Sequence, residues 1–438
     1  MKIRFFEDFD YVLFACVSIL VIFGISFIYS SGVSTAGQLV SNEYVKQIIW
    51  TVLGMFLMFG AALYDYRKTE RYVTWLYGFL IIILLYTRIF GRFVNGARSW
   101  LGIGDFGLQP SEFCKIIYIL FLANYLEQSS KENSLRRFIH AMFIMLIPVG
   151  LILLQPDLGT ASVYIPIFLV MCFVAGVPLL YILLILLAGM LTIIFTVLPI
   201  WQADIAKKSF ELINVLTNMR IRIIVIVGIG LIGIIGFIGH YLYRNIKYYS
   251  WIAYFCGITV FALIASLAGG KVLKSYQLKR LIIYIDPSSD PLGSGWNIIQ
   301  SKIAIGSGGF WGRGFLNGTQ SHYRFLPQQS TDFIFSILSE ETGFIGGFFV
   351  FMLYFLILIR IIFIMRSTKN TYGYYICSGV LAMFFFHFIV NVGMVMGIMP
   401  ITGIPLLFLS YGGSSLWTAM ICIGLVMSVN FRKYDFLD

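Results

Sequence analysis

Long apolar stretches recur along the 438-residue chain and constrain its fold more than any other feature. A helix needs about 20 mostly apolar residues to cross the ~30 Å hydrocarbon core of a bilayer. About twelve stretches satisfy this requirement, near residues 11–30, 46–64, 73–90, 112–126, 138–154, 161–176, 179–199, 221–242, 251–270, 343–364, 373–395 and 414–430. Little sequence remains for a soluble domain. We therefore predict an all-α, polytopic transmembrane helical bundle of about 12 spans, forming one membrane domain over residues 1–438.

Composition supports a membrane protein and excludes several other classes. Apolar residues make up 59% of the chain and charged residues 12%, against about one half and one quarter in soluble domains. The first apolar run follows an acidic start and lacks a small-residue cleavage site, so we interpret it as a retained helix. All six cysteines lie in apolar spans, which excludes an extracellular disulfide framework, and no Cys/His spacing resembles a metal site. His387 lies inside a span, where a packed or hydrogen-bonded role is favoured over catalysis. No nucleic-acid partner is expected.

Positive charge in short loops predicts the orientation of the chain. Cytoplasmic N- and C-termini place these cations inside: Arg67, Lys68, Arg71, Lys131, Arg136, Arg137, Arg244, Lys247, Arg366, Lys369, Arg432 and Lys433. The same orientation leaves these outside: Arg88, Arg92, Arg98, Lys207, Lys208, Lys271, Lys274, Lys279, Arg280, Lys302, Arg313 and Arg324. These outer cations have three interpretations. They are solvated loop charges, or the orientation is reversed, or the outer face binds an anion such as a lipid diphosphate.

One long connection, residues 271–342, dominates the polar part of the sequence. It is rich in Gly, Ser, Asn and Gln, yet apolar pairs such as Phe310-Trp311 occur throughout it. A loop this long in a compact protein is usually functional or disordered. The interleaved apolar residues favour short helices and re-entrant pieces packed against the bundle.

Shorter polar clusters flank the spans at 96–101, 109–112, 155–160 and 400–415. Glu112 and Lys115 share a helix face, either as a structural ion pair near a helix start or as functional groups in a span. Asp157 can be explained by helix capping alone. By span parity, all four clusters lie on the same side as the long connection, which predicts a single site there.

The sequence resembles the SEDS family (shape, elongation, division and sporulation), and within it the RodA branch. The motifs that carry the resemblance are G-A-R-S-W-L (96–101), Q-P-S-E (109–112), Q-P-D-L-G-T (155–160), D-P-S-S-D-P-L-G-S-G (286–295), Q-S-K-I-A-I-G-S-G-G (300–309), T-D-F-I-F (331–335), E-E-T-G-F-I-G (340–346) and S-Y-G-G-S-S (410–415). The N-G-T-Q stretch (317–320) and the sequence after it are closer to the RodA branch than to the divisome branch.

The resemblance implies a peptidoglycan glycosyltransferase at the outer face of the bacterial cytoplasmic (inner) membrane. Such an enzyme joins the disaccharide-pentapeptide of lipid II into β-1,4 glycan strands during cell elongation and shape maintenance, releasing undecaprenyl diphosphate. The implied partners are a class B penicillin-binding protein, bound through membrane helices, and the elongation machinery.

The implied catalytic residue is Asp286, with Asp290 as its rival. An α-linked glycosyl diphosphate that becomes a β-linkage undergoes a single inverting displacement, so one carboxylate base near the acceptor hydroxyl is sufficient. A divalent cation (Mg²⁺ or Mn²⁺), held by Asp286 and Asp290, is a further possibility. The expected substrate- or diphosphate-binding residues are Arg98, Glu112, Lys115, Gln155, Asp157, Lys279, Arg280, Gln300, Ser301, Gln320, Asp332, Ser410, Gly412, Gly413 and Ser414.

Two departures from the family pattern stand out. The family plan has ten spans, so residues 200–250 are interpreted as part of a two-helix insertion, with an amphipathic connection from 201 to 220. Near Thr402 the division branch carries a lysine that this chain lacks. The remaining alternatives are a lipid II flippase, a non-catalytic scaffold, and a division or sporulation paralogue of the same family.

Overall fold

The computed structural model describes residues 8–94, 97–103, 106–203, 208, 210–243, 247–272, 280, 283–284, 286, 294–323 and 325–433. The helices are α1 (Tyr11–Ser31), α2 (Glu43–Leu63), α3 (Val73–Phe90), α4 (Pro110–Gln128), α5 (Ser134–Leu154), α6 (Leu158–Val174), α7 (Leu179–Trp201), α8 (Glu211–Thr217), α9 (Met219–Leu242), α10 (Lys247–Val272), α11 (Ser294–Gly308), α12 (Thr319–His322), α13 (Ile334–Ser367), α14 (Thr371–Val395) and α15 (Gly413–Phe431). A 3₁₀ helix covers Tyr66–Arg71, and a small antiparallel sheet comprises β1 (Arg92–Val94), β2 (Ala97–Ile103) and β3 (Phe106–Leu108).

Within the described ranges, ten helices are long and apolar enough to cross a membrane. Two more predicted spans correspond to α4, which carries Glu112 and Lys115, and to α6, which is apolar but has only 17 residues. The prediction of an all-α polytopic protein is confirmed, because the sheet is confined to one short connection. The count of twelve spans stays a prediction.

Local sequence explains where several helices begin. Asp10, Asn133, Asp157 and Asn370 each accept a hydrogen bond from a backbone N–H in the first turn of the helix that follows. These caps satisfy donors that have no partner inside the helix. Pro110 opens α4, where its missing N–H is not needed.

Contacts divide the chain into two compact units, one of Met1–Val177 with Asn297–Asp438 and one of Pro178–Trp296. In the first unit, α14 and α15 are the most buried spans. Helix α15 packs closely on α2, since a Cβ on Gly424 would collide with the carbonyl oxygen of Met58. Small residues allow such close approach between membrane helices.

The first unit has two polar ends. At one end, here called the terminal face, Arg432 donates to the carbonyl oxygens of Ala62 and Leu63, and Asn430 donates to that of Asp8. The opposite end, here called the loop face, contains the ends of α1 and α5 and the starts of α2, α4 and α15.

The second unit contains α7 to α10. Helix α9 packs on α10 at Gly236 and Gly239, where an added Cβ would meet Tyr249. Arg222 of α9 donates to the carbonyl oxygen of Leu263 and to Ser266 Oγ of α10, which satisfies most of a buried guanidinium. The predicted insertion at 200–250 falls in this unit, and its status as an insertion stays a prediction.

Candidate functional site at the loop face

Gln109 joins three of the sequence clusters at the loop face. Its side-chain amide donates to Asp157 Oδ2 (2.7 Å), and its backbone N–H donates to Ser414 Oγ (3.0 Å). Asp157 also caps α6 by accepting from the backbone N–H (3.0 Å) and the hydroxyl (2.9 Å) of Thr160. The structure therefore brings the 109–112, 155–160 and 400–415 clusters together. Asp157 is half-buried.

Gln47 of α2 holds the glycine-rich entry to α15. Its amide nitrogen donates to the carbonyl oxygen of Ser410 (3.3 Å), and its amide oxygen accepts from the N–H of Gly412 (3.2 Å). Ser410 Oγ accepts from the N–H of Leu406 (2.8 Å). A Cβ on Gly413 would lie 2.9 Å from the Trp50 ring, so the glycine permits close packing of α15 on α2.

Residues 401–410 form a non-helical segment that is mostly buried in the first unit, with Gly403 exposed. Its carbonyl oxygens accept hydrogen bonds from buried side chains: Asn391 Nδ2 to Ile404 (2.8 Å), His387 Nδ1 to Pro405 (3.0 Å) and Tyr354 OH to Leu407. Irregular backbone is tolerated inside a membrane protein only where its polar groups are satisfied in this way. The 400–415 cluster is therefore a re-entrant segment.

Glu112, Lys115 and His387 form a buried hydrogen-bonded chain. Lys115 Nζ lies 2.8 Å from Glu112 Oε1 and 3.2 Å from His387 Nε2, and all three residues are at most 3% exposed. Because the Pro405 carbonyl can only accept, His387 Nδ1 carries the proton and Nε2 accepts from Lys115. Glu112 Oε2 has no hydrogen-bond partner among the described residues. Lys115 is thus engaged inside the protein, and its role as a diphosphate ligand stays a prediction.

A helix break in α13 anchors the end of the long connection. Gly343 has φ 66° and ψ −159°, and the backbone of 309–314 hydrogen-bonds to the groups that the break exposes. Arg313 N donates to the carbonyl oxygen of Glu340 (3.0 Å), and Phe344 N donates to that of Gly309 (2.9 Å). The break falls at the predicted start of the tenth span, and helix α13 extends back from it to Ile334 within the segment predicted as a loop.

We expect Gly343→Ala to lower the stability of the purified protein. Its backbone conformation costs a non-glycine residue about 1–3 kcal/mol. A Cβ would also collide with the backbone nitrogen of Gly312 and lie 2.7 Å from the carbonyl oxygen of Phe310. Thermal unfolding in detergent is the measurement. The control is Gly60→Ala in α2, where a Cβ meets nothing within 4 Å and the change should be neutral or slightly stabilising. Equal melting temperatures for the two variants would contradict the strain argument.

The remaining predicted residues of the first unit lie at separate places on the loop face. Ser301 Oγ lies 2.8 Å from Ser336 Oγ and donates to the carbonyl oxygen of Val395 (2.6 Å), while Gln300 is buried beside it in α11. The backbone N–H of Gln320 donates to Glu340 Oε1 (2.9 Å). The carbonyl oxygen of Asp332 accepts from Asn391 Nδ2 (3.1 Å). Gln155 is fully buried and donates to the carbonyl oxygen of Leu84 (2.9 Å), which favours a packing role.

The structure describes the predicted base and some of the predicted outer cations. Arg98 is exposed on β2, opposite Phe93 of β1. Arg280 and Asp286 belong to the second unit and are half-buried. Lys279 and Asp290 lie outside the described residues. Within the described ranges, no group of three or more His, Cys, Asp or Glu could hold a metal ion, so the divalent cation stays a prediction.

Sequence reasoning missed residues outside the four clusters that hold the site together. Gln47, Asn391 and Tyr354 hold the re-entrant segment, and none was selected from the sequence. A signal was available for Asn391, since an amide inside an apolar span needs buried partners. The structure places His387 among hydrogen bonds, as the interpretation of a packed histidine expects.

The fold and the polar end define a multi-pass membrane protein with a re-entrant, hydrogen-bonded loop face. The profile of a family described as cell cycle protein (FtsW/RodA/SpoVE) matches residues 10–217 and 210–435. The chain therefore belongs to the FtsW/RodA/SpoVE family, and the resemblance found in the sequence is confirmed.

The similarity to named relatives extends over nearly the whole chain. The chain is 54% identical to the peptidoglycan glycosyltransferase RodA of Treponema pallidum, over 99% of this chain and 100% of the relative. It is 32% identical to the peptidoglycan glycosyltransferase MrdB of Escherichia coli K12, over 89% and 85% of the two chains. A solved structure from work on coordinated polymerisation and crosslinking by a peptidoglycan synthase complex is 27% identical, with a TM-score of 0.67 over 97% of this chain and 98% of the other.

Proposed function

We propose that the protein is a peptidoglycan glycosyltransferase that polymerises lipid II into β-1,4 glycan strands during cell elongation. The observation that carries the proposal is the 54% identity to a relative named for this activity, over nearly the full length of both chains. The arrangement of the loop face supports it, because three polar clusters meet there around Gln109, Asp157 and Ser414. A substrate with both a lipid and a hydrophilic part needs a polar site at the end of a membrane bundle.

The proposed reaction is one inverting displacement at the anomeric carbon of a glycosyl diphosphate. The acceptor sugar hydroxyl attacks, the bond to the diphosphate oxygen breaks, and the electron pair leaves with undecaprenyl diphosphate. A sugar hydroxyl is far too weak an acid to ionise beforehand, so Asp286 takes its proton as the attack proceeds. A diphosphate is a good leaving group without protonation, so one carboxylate is enough, unlike in inverting glycosidases.

Cations near the loop face would stabilise the departing diphosphate. In the first unit, Arg98 is the suitable candidate, since it is exposed and its guanidinium can bind phosphate oxygens in pairs. In the proposal, Arg280 and Lys279 add to this charge from the long connection. A divalent cation at Asp286 and Asp290 would supply further charge neutralisation.

The proposed orientation places the loop face outside and both termini in the cytoplasm. The terminal face carries Arg67, Lys68 and Arg71 in its 3₁₀ segment, with Arg432 and Lys433 beside them. This enrichment follows the positive-inside rule. We further propose a class B penicillin-binding protein as partner, supported by the structural likeness to a peptidoglycan synthase complex.

The test is glycan synthesis by the purified chain with its penicillin-binding partner, using fluorescent lipid II. We expect ladders of glycan products on gels, sensitive to lysozyme digestion. A flippase would instead move labelled lipid II across liposome membranes without forming a ladder. The absence of products from a folded, partner-bound preparation, together with lipid transfer in liposomes, would overturn the proposal.

A further inference from the structure

The proposed chemistry assigns no role to a cleft at the loop face of the first unit, here called the Asn317 cleft. Its volume is about 390 Å³, within the roughly 300–1,000 Å³ range of small-molecule sites. One wall is the turn that follows α1, from Val33 to Gly37, and the other is the segment from Leu316 to Tyr323. The second wall includes part of the N-G-T-Q motif.

The two walls are held in place by buried hydrogen bonds. His322 Nδ1 donates to the carbonyl oxygen of Val33 (2.8 Å), which joins one wall to the other. Behind the second wall, Glu340 accepts from the N–H of Gln320 (2.9 Å), and Glu341 Oε2 accepts from the N–H of Leu316 (3.2 Å). Both glutamates are almost fully buried. The cleft therefore has a fixed shape, as a binding site requires.

The backbone of Leu316 and the side chain of His322 distinguish the second wall. Leu316 has φ +64°, a conformation that is rare outside glycine and that persists where the surroundings enforce it, often at ligand sites. His322 is 8% exposed and lines the cleft, and its Nε2 has no hydrogen-bond partner but lies 3.8 Å from Glu341 Oε1. The Nε2 atom is itself buried and faces the Glu341 carboxylate, so His322 fixes the second wall against Glu341 as well as against Val33.

The lining indicates the chemistry of the ligand. Ser34, Thr35, Asn317 and Thr319 line the cleft together with Tyr29, and no lysine or arginine is found among its described lining residues. Arg313 lies behind the lining and donates to the Thr319 hydroxyl (2.8 Å), which in turn donates to Glu340 Oε1 (3.1 Å). At its rim, the Tyr323 side chain is 61% exposed. Hydroxyl and amide side chains beside one exposed tyrosine ring suit a neutral ligand with many hydroxyls and flat C–H faces.

We propose that the Asn317 cleft is a saccharide subsite that binds an N-acetylated sugar unit of the glycan strand. The inference rests on the proposed function, and it names a second place where the polymer is held. A sugar bound there would retain the growing strand between additions without taking part in the bond that forms.

The test measures binding of triacetylchitotriose to the purified full-length protein by saturation-transfer NMR, which requires no turnover. We expect transfer to the acetyl protons in the wild type. Asn317→Ala and Tyr323→Ala should each weaken binding about tenfold, the effect of one lost hydrogen bond or ring contact. Both side chains are exposed, so their removal should leave the fold intact. The control is Tyr72→Ala, which removes a tyrosine that is 53% exposed and lies beside the 3₁₀ segment of the terminal face.

Competition separates the saccharide from other parts of the substrate. Inorganic diphosphate and the free pentapeptide stem should leave chitotriose binding unchanged, whereas displacement by either would overturn the assignment. Unchanged binding in both cleft variants, or none in the wild type, would also overturn it. A wild type that binds the sugar but forms no glycan would contradict the proposed function and leave the subsite standing.

Discussion

Replacing Asp286 with alanine should lower the rate of glycan polymerisation by about 10²–10⁴-fold, the usual contribution of a general base. The carboxylate takes the proton of the acceptor hydroxyl during attack, and alanine offers no acceptor. The initial rate of ladder formation from fluorescent lipid II, with the penicillin-binding partner present, is the measurement. Asp286→Asn should lose nearly as much, because a neutral amide keeps the size of the side chain but is not basic.

Asp290→Ala is the matched control for this prediction. Asp290 also precedes a proline in the same motif, and a turn-holding role would explain either aspartate. We expect Asp290→Ala to keep most of its activity, or to lose activity together with thermal stability. If Asp290→Ala abolished synthesis in a folded protein while Asp286→Ala remained active, the base would be Asp290. Equal melting temperatures for wild type and Asp286→Ala would show that the loss is chemical.

The membrane architecture could be predicted from the sequence because one physical rule dominates it. Apolar runs of spanning length have few alternatives in a chain of this composition, and parity then places the polar clusters at one end. Gln109 and Asp157 do lie together at that end. Their contact could not be predicted, since it depends on how α4 and α6 rotate about their own axes. A helix that is apolar on every side, whether it faces lipid or protein, has no polar stripe in its sequence. Its sequence therefore contains little information about which side faces its neighbours.

Backbone irregularity was equally hidden in the sequence. The E-E-T-G-F-I-G motif gives no sign of a break in the helix. The positive φ of Gly343 becomes evident only when segment 309–314 is placed against it. The buried segment 401–410 was selected for its glycines and prolines, but the side chains that satisfy it come from α13 and α14, distant in sequence. Such long-range satisfaction of backbone groups is a tertiary property.

Removing one partner of the Glu112–Lys115 pair should destabilise the protein by about 3–5 kcal/mol, the cost of leaving a buried charge without its partner. Both side chains are at most 4% exposed, and the atoms of the pair are 2.8 Å apart. Glu112→Gln and Lys115→Met, each alone, should therefore lower the thermal unfolding midpoint in detergent by several degrees. The control is Arg67→Gln, which breaks a half-exposed pair with Asp65 and should cost only about 0–1 kcal/mol.

The double variant Glu112→Gln/Lys115→Met decides between the two interpretations of this pair. Replacing both charges by neutral groups of similar size leaves no unpaired charge, so much of the lost stability should return. His387 Nε2 would then lose its donor, and the recovery should be incomplete. If the pair only stabilises the bundle, the recovered protein should also polymerise lipid II. If Lys115 instead contacts the diphosphate, the double variant will be stable yet inactive. The lysine of the wild type would then have to break its ion pair with Glu112 to reach the substrate. A double variant less stable than either single variant would contradict the ion-pair account, and the loss would then arise from packing around α4.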